Sequence, residues 1–146
     1  MKALFIIVLL VTITCYSVEA KRNLDTERSA KYELIEANRL LGLQSDNQGL
    51  RESCAYFLGE MKSQKAVFPL MAMLREEKAP TSSRIIAALS LIKIGDPQGA
   101  YFVSRVGELC DDPVTKKFCE KFYKSYLYHK NQEIKDDIND SIAYAD

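Results

Sequence analysis

Few residues in this chain are of a type and placement to do chemistry. His129 is the only histidine; it closes the aromatic run Tyr126-Leu127-Tyr128, and no Ser or Cys beside it forms the nucleophile and base pair that covalent catalysis requires. The cysteines Cys15, Cys54, Cys110 and Cys119 are widely spaced. A zinc site needs several thiolates or imidazoles converging on one ion, which tight pairs such as C-x-x-C supply and these positions do not. Gly42 and Gly49 are too isolated to cradle a phosphate. The run Arg75-Glu76-Glu77-Lys78 reads as a solvated helix end. The pattern predicts no catalytic residue, no metal and no cofactor.

Charge narrows the partners. The chain carries 20 Lys and Arg against 20 Asp and Glu, so no basic stripe offers the counterion release that drives nucleic-acid binding. The expected partner is another protein.

Residues 1–20 have the form of a cleavable export signal. Lys2 precedes an apolar run from Ala3 to Val11, and Val18-Glu19-Ala20 is a small-x-small site before Lys21-Arg22. The run is shorter than the ~20 apolar residues that span a bilayer. Two alternatives stay open, an uncleaved anchor and cleavage before Cys15 with lipidation; of the cleaved products only the one lipidated at Cys15 would meet a membrane, and Thr14 stands where that cleavage wants a smaller residue. Loss of Lys2 and Glu19 with the signal leaves the charge balance at zero. The product is expected to be periplasmic or extracellular.

Export also bears on the thiols. Once Cys15 is removed three cysteines remain, an odd number that forbids a fully paired framework. Cys54 falls on an apolar helical stripe and reads as a small buried hydrophobe. Cys110 and Cys119 flank a turn, so a disulfide between them is possible but strained: packed helix axes lie ~8–10 Å apart, whereas a bridge needs α-carbons within ~7 Å.

The elements that place these residues are helices, and they repeat. Shifting the sequence by 33 positions lays Arg51 on Arg84, Ala55 on Ala88, Leu58 on Leu91, Met61 on Ile94 and Leu70 on Val103. In the same register Pro113, Lys117, Phe118 and Phe122 fall on Pro80, Arg84, Ile85 and Leu89, after which the pattern fades. Such a period marks stacked helix pairs, each hiding its apolar face against its neighbours. Residues 50–74 and 83–107 form the two clear copies.

Six helices are expected. Asp25 can cap the first, with Tyr32, Ile35, Leu40 and Leu41 on its stripe and an end near Gly42. The second, about Leu50 to Lys62, buries Cys54, Ala55, Leu58 and Met61. The third carries Val67, Leu70, Met71 and Leu74, with Pro69 near its start, where a missing N–H costs little. Ala79-Pro80-Thr81-Ser82 turns the chain into the fourth, whose stripe is Ile85, Ala88, Leu89 and Ile92. Gly95-Asp96-Pro97 then supplies a C-cap glycine, an N-cap aspartate and a proline at the next first position. The fifth, about Pro97 to Cys110, carries Ala100, Val103, Val106, Gly107 and Leu109. Asp111-Asp112-Pro113 opens the sixth, with Phe118, Phe122, Tyr126 and Leu127 inward. From 131 to 146 the text is polar and acidic, a mobile tail or a weak helix on Ile134, Ile138 and Ile142.

Leu58-Gly59-Glu60-Met61 followed by Ala66-Val67-Phe68-Pro69-Leu70, and Ala87-Ala88-Leu89 through Ile94-Gly95-Asp96-Pro97, resemble the HEAT-like repeats of phycobilisome lyase relatives and bacterial scaffolds. The resemblance covers about residues 50–125. It departs at Lys62-Ser63, which replaces the Gly-Asp turn in the first copy. It implies an all-α fold, a short α-solenoid of about three stacked hairpins over residues 21–130, whose inner surface is lined by the second helix of each pair and holds a partner. The implied function is an exported protein-binding scaffold with no catalysis of its own; the alternative is a lyase-like or accessory protein holding a small ligand or chromophore.

On that reading the binding face is what the core stripes leave over. Lys65, Phe68, Ala72 and Arg75 form one line, and Tyr101, Arg105 and Glu108 the equivalent line 33 residues on. Phe68 and Tyr101 coincide in the repeat. Aromatic and arginine side chains are the usual anchors of protein interfaces. Phe68 can instead complete the core, and the sequence leaves both open.

Overall fold

The computed structural model describes residues 26–143; the expected export signal, Cys15 and the expected cap at Asp25 lie outside them. Every regular element among these residues is helical: α1 (residues 26–42), α2 (Gln48–Glu60), a 3-10 turn (Gln64–Ala66), α3 (Val67–Arg75), α4 (Thr81–Ile94), α5 (Pro97–Leu109) and α6 (Pro113–Ala143). The chain divides into two compact units, Met1–Asn38 and Arg39–Asp146. Within the first, residues 26–38 are helical. All that follows concerns the second.

Local chemistry sets the helix ends. Asn47 caps α2, its side-chain oxygen accepting from Leu50 N at 3.0 Å, which satisfies one of the orphan donors of the first turn. Gly95 ends α4 at φ 78, in the left-handed region that glycine enters without steric cost. Asp96 caps α5 by accepting from Gln98 N and Gly99 N, both at 2.9 Å, and Pro97 follows in the first turn. Asp112 caps α6 through Val114 N and Thr115 N at 3.1 and 3.3 Å. Both cap-and-proline turns read from the sequence are formed.

The period of 33 survives as geometry. Helix α2 begins at 48 and α4 at 81; the 3-10 turn begins at 64 and α5 at 97. Burial repeats with the boundaries: Ala55 and Ala88, Leu58 and Leu91, and Leu70 and Val103 are each wholly buried. Helix α4 is the central element, packing on α2, α3 and α6, while α5 lies mainly on α6 and also touches α3 and α4. The core gathers Leu58, Leu70, Leu74, Leu91 and Val103 with Ala87, Ala88 and Cys119. Burial of each such leucine is worth roughly 1.5–3 kcal/mol.

At α2 and α4 the backbones come unusually close. A Cβ on Gly59 would sit 2.8 Å from both Cα and Cβ of Ser90, so only glycine fits there. The buried Ser90 hydroxyl has no hydrogen-bond partner. Its small size, not its polarity, suits the contact.

Several expected inward positions are corrected. The third copy follows a register of 32, not 33: Thr115 and Cys119 are wholly buried and answer to Ser83 and Ala87, while Phe118 is exposed. The cause is the connection, since residues 76–80 join α3 to α4 but only 110–112 join α5 to α6. One residue turns a helix face by about 100°. In α3 Met73 is buried and Met71 only partly so; Leu41, Leu109 and Leu127 are exposed, Leu109 by 68%. The polar stretch from 131 continues α6 without a break to Ala143, with Ile134, Ile138 and Ile142 all exposed.

Candidate functional site

Helices α3 and α5 occupy equivalent places in the two copies and touch along part of their length. The faces they turn to solvent carry the residues singled out as a binding line. Phe68 is 68% exposed and Tyr101 64%; that answers the question left open for Phe68, which is not a core residue. Pro69 beside it sits in the first turn of α3, where no backbone donor is lost. Lys65, Ala72 and Arg75 are exposed on one line, and Arg105 and Glu108 on the other.

The polar members of the lines are already organised. Arg105 Nη1 donates to Glu108 Oε2 one turn along α5. The Arg75 guanidinium lies 5.2 Å from the centroid of the Phe102 ring, so a cation of α3 rests on an aromatic of α5. Such contacts contribute ~0.5–1 kcal/mol at an exposed site. No sequence signal points to Phe102, because the stacking needs the two helices side by side.

A cavity of about 400 Å³ opens between the turns that follow α3 and α5, and its wall includes Leu74, Phe102, Val106, Leu109, Arg84 and Cys110. Arg84 is 8% exposed and donates from Nε to the Leu74 carbonyl and from Nη2 to Cys110 Sγ, both at 3.1 Å. The repeat register places Arg84 opposite Arg51 but assigns it no role. The signal available was its pairing with Arg51.

The thiols of Cys54, Cys110 and Cys119 are free, with no bridge between Cys110 and Cys119. Burial, aided by the nearby Cys110, pushes the Cys119 thiol up to about 12 against a smaller opposing pull from Arg84. That thiol stays protonated at neutral pH and is a poor nucleophile. His129 is exposed on α6, its ring edge-on to Tyr128 at 5.7 Å. Among the described residues no three His, Cys, Asp or Glu side chains gather as a metal-binding group.

A second cluster gathers side chains of α2 and α4 with Arg39 from the end of α1. Tyr56 and Phe57 meet edge to face at 5.7 Å, with Lys93 4.5 Å above the first ring and Arg39 4.3 Å above the second. Lys93 also pairs with Glu60, 33 positions before it, and that hydrogen bond, followed by one from Tyr56, holds the Glu60 carboxyl below its ordinary range. Here the aromatics are engaged by cations of their own chain, whereas Phe68 and Tyr101 make no ring stacking or cation contact among the described residues. No known family model matches the chain, and no curated protein is similar to it.

Proposed function

We propose that this chain is a short HEAT-like α-solenoid, exported after removal of residues 1–20, which binds another protein through the α3 and α5 face and does no catalysis of its own. The observation that carries the reading is the repeated exposure of Phe68 and Tyr101 at one position of two successive copies. Large aromatics cost solubility when bare, and an evenly spaced pair on neighbouring helices matches a partner that supplies two pockets. Arg75, Arg105, Glu108 and Lys65 around them would form the polar rim.

The test compares a docking loss with a folding loss. Affinity capture from the exported fraction, with the protein as bait, should recover one stoichiometric partner; Phe68→Ala and Tyr101→Ala should each weaken that capture at least about ten-fold, as hot-spot truncations do, with the melting temperature nearly unchanged. Arg105→Ala should have a smaller effect of the same kind. Unfolding by Tyr101→Ala, or undiminished capture by the double variant, would remove this face from consideration. Mass spectrometry of the exported protein should find Lys21 as its first residue.

A further inference from the structure

The two copies treat their matched arginines differently. In the first, Arg51 Nη2 donates to Glu76 Oε2 at 2.8 Å. Thirty-three residues on, Arg84 repeats Arg51, but Leu109 stands in the place of Glu76. Arg84 is the more deeply buried of the two, and its acceptors, the Leu74 carbonyl and Cys110 Sγ, are not carboxylates. No acid among the described residues makes an ion pair with it.

A guanidinium offers five N–H donors and keeps its charge at any accessible pH. Buried without a counter-charge, it is costly. Leu74 and Cys110 bracket the guanidinium, and both line the cavity, as does Leu109. Leu109, which holds the register position of Glu76, therefore lines the same cavity as Arg84 and brings no carboxylate to it. Phe102 and Val106 add apolar wall beside Leu74 and Leu109, and Arg75 and Arg105 stand exposed at its edge. Of the acids lining it, Asp112 already accepts from Thr81, Val114 and Thr115, and Glu77 and Asp111 are exposed. The volume falls in the ~300–1,000 Å³ range of small-ligand sites.

We propose that this cavity binds a small apolar carboxylate, its carboxyl group set against Arg84 as that of Glu76 is set against Arg51, and its apolar stem against Phe102 and Val106. The site goes beyond the docking face on α3 and α5. The same chemistry could be presented by a free acid or by the carboxyl end of a peptide.

Calorimetric titration of the folded protein with decanoate and with decanamide tests it. Decanoate should bind at least about ten-fold more tightly, the ratio expected when one charge-assisted pair is made or lost. Leu109→Glu rebuilds the ion pair of the first copy at an exposed position; it should raise the melting temperature and bring the ratio close to one. Arg84→Met should also abolish the preference, and if it fails to fold, Leu109→Glu carries the test alone. A short alanine peptide ending in phenylalanine, with its terminal carboxyl free or amidated, distinguishes a chain end from a free acid. Equal binding of acid and amide in both pairs, binding of none of the four, or a preference that survives Leu109→Glu would overturn the proposal. The Phe68→Ala, Tyr101→Ala double variant should bind decanoate unchanged; loss there would move the ligand to the docking face and dismiss the cavity.

Discussion

Lys62 and Gly95 end the first helix of each copy in the same left-handed backbone conformation, at φ 52 and φ 78. Glycine enters that region freely, whereas an L-residue with a Cβ meets strain of roughly 1–2 kcal/mol. The first copy thus keeps the turn geometry of the second without its residue, because helices packed on both sides fix where the chain must reverse. Asp96 adds a side-chain cap with two hydrogen bonds in the second copy; the 3-10 turn of the first has no side-chain cap. Shared architecture therefore tolerates unequal local chemistry, and the inequalities show where each copy is weak.

The largest effect should fall where the copies are most alike. Leu58→Ala and Leu91→Ala each remove a wholly buried side chain, and each should destabilise by about 2–5 kcal/mol in urea titration, by lost transfer energy and the cavity left behind. Effects differing several-fold between the two would break the equivalence of the copies.

The interface between α2 and α4 comes next. Gly59→Ala forces a methyl group to within 2.8 Å of the Ser90 backbone, an overpacking expected to cost about 1–3 kcal/mol. The positions answering to Gly59 and Ser90 one copy later are Ile92 and Phe122, both partly buried, so α4 and α6 do not share that close approach. A neutral result would mean that α2 can slide away from α4.

Exchanging the turn residues sharpens the comparison further. Lys62→Gly should stabilise by about 1 kcal/mol and Gly95→Lys destabilise by about the same, the left-handed strain being relieved in one and created in the other. Thermal unfolding of both variants measures it. If Lys62→Gly destabilises, the side chain of Lys62 holds something the backbone argument omits.

The smallest effect is acid-dependent and belongs to the first copy alone. Hydrogen bonds from Gln48 and then Ser83, with Ser82 adding, hold the Glu52 carboxyl below its ordinary range. A depressed folded-state value means the contribution is present above the unfolded glutamate range, near 4.3, and is lost as pH falls through the folded value. Glu52→Gln should flatten that acid limb by well under about 1 kcal/mol, since the group is partly solvated. Melting temperatures between neutral pH and pH 3 would reveal it. Ile85 stands at this position in the second copy, where no such limb is expected.

The sequence carried what depends on neighbours in the chain. The helix ends at Gly95, Asp96, Pro97 and Asp112 follow from backbone groups within a turn of the residues that satisfy them, and the repeated stripe through Ala55, Leu58, Ala88 and Leu91 follows from helical periodicity alone. Phe68 was ambiguous because an aromatic next to a stripe can be drawn in or left out, depending on how wide the neighbouring helix is. Tertiary packing decided that it is exposed. The same holds for the one-residue change of register before α6, for Met73 in place of Met71, and for the fit of Gly59 to Ser90, each of which depends on the distance between helices far apart in sequence. Arg84 belongs with these: its lack of a carboxylate becomes meaningful only once folding has buried it beside a cavity, whereas its twin Arg51 pairs with Glu76.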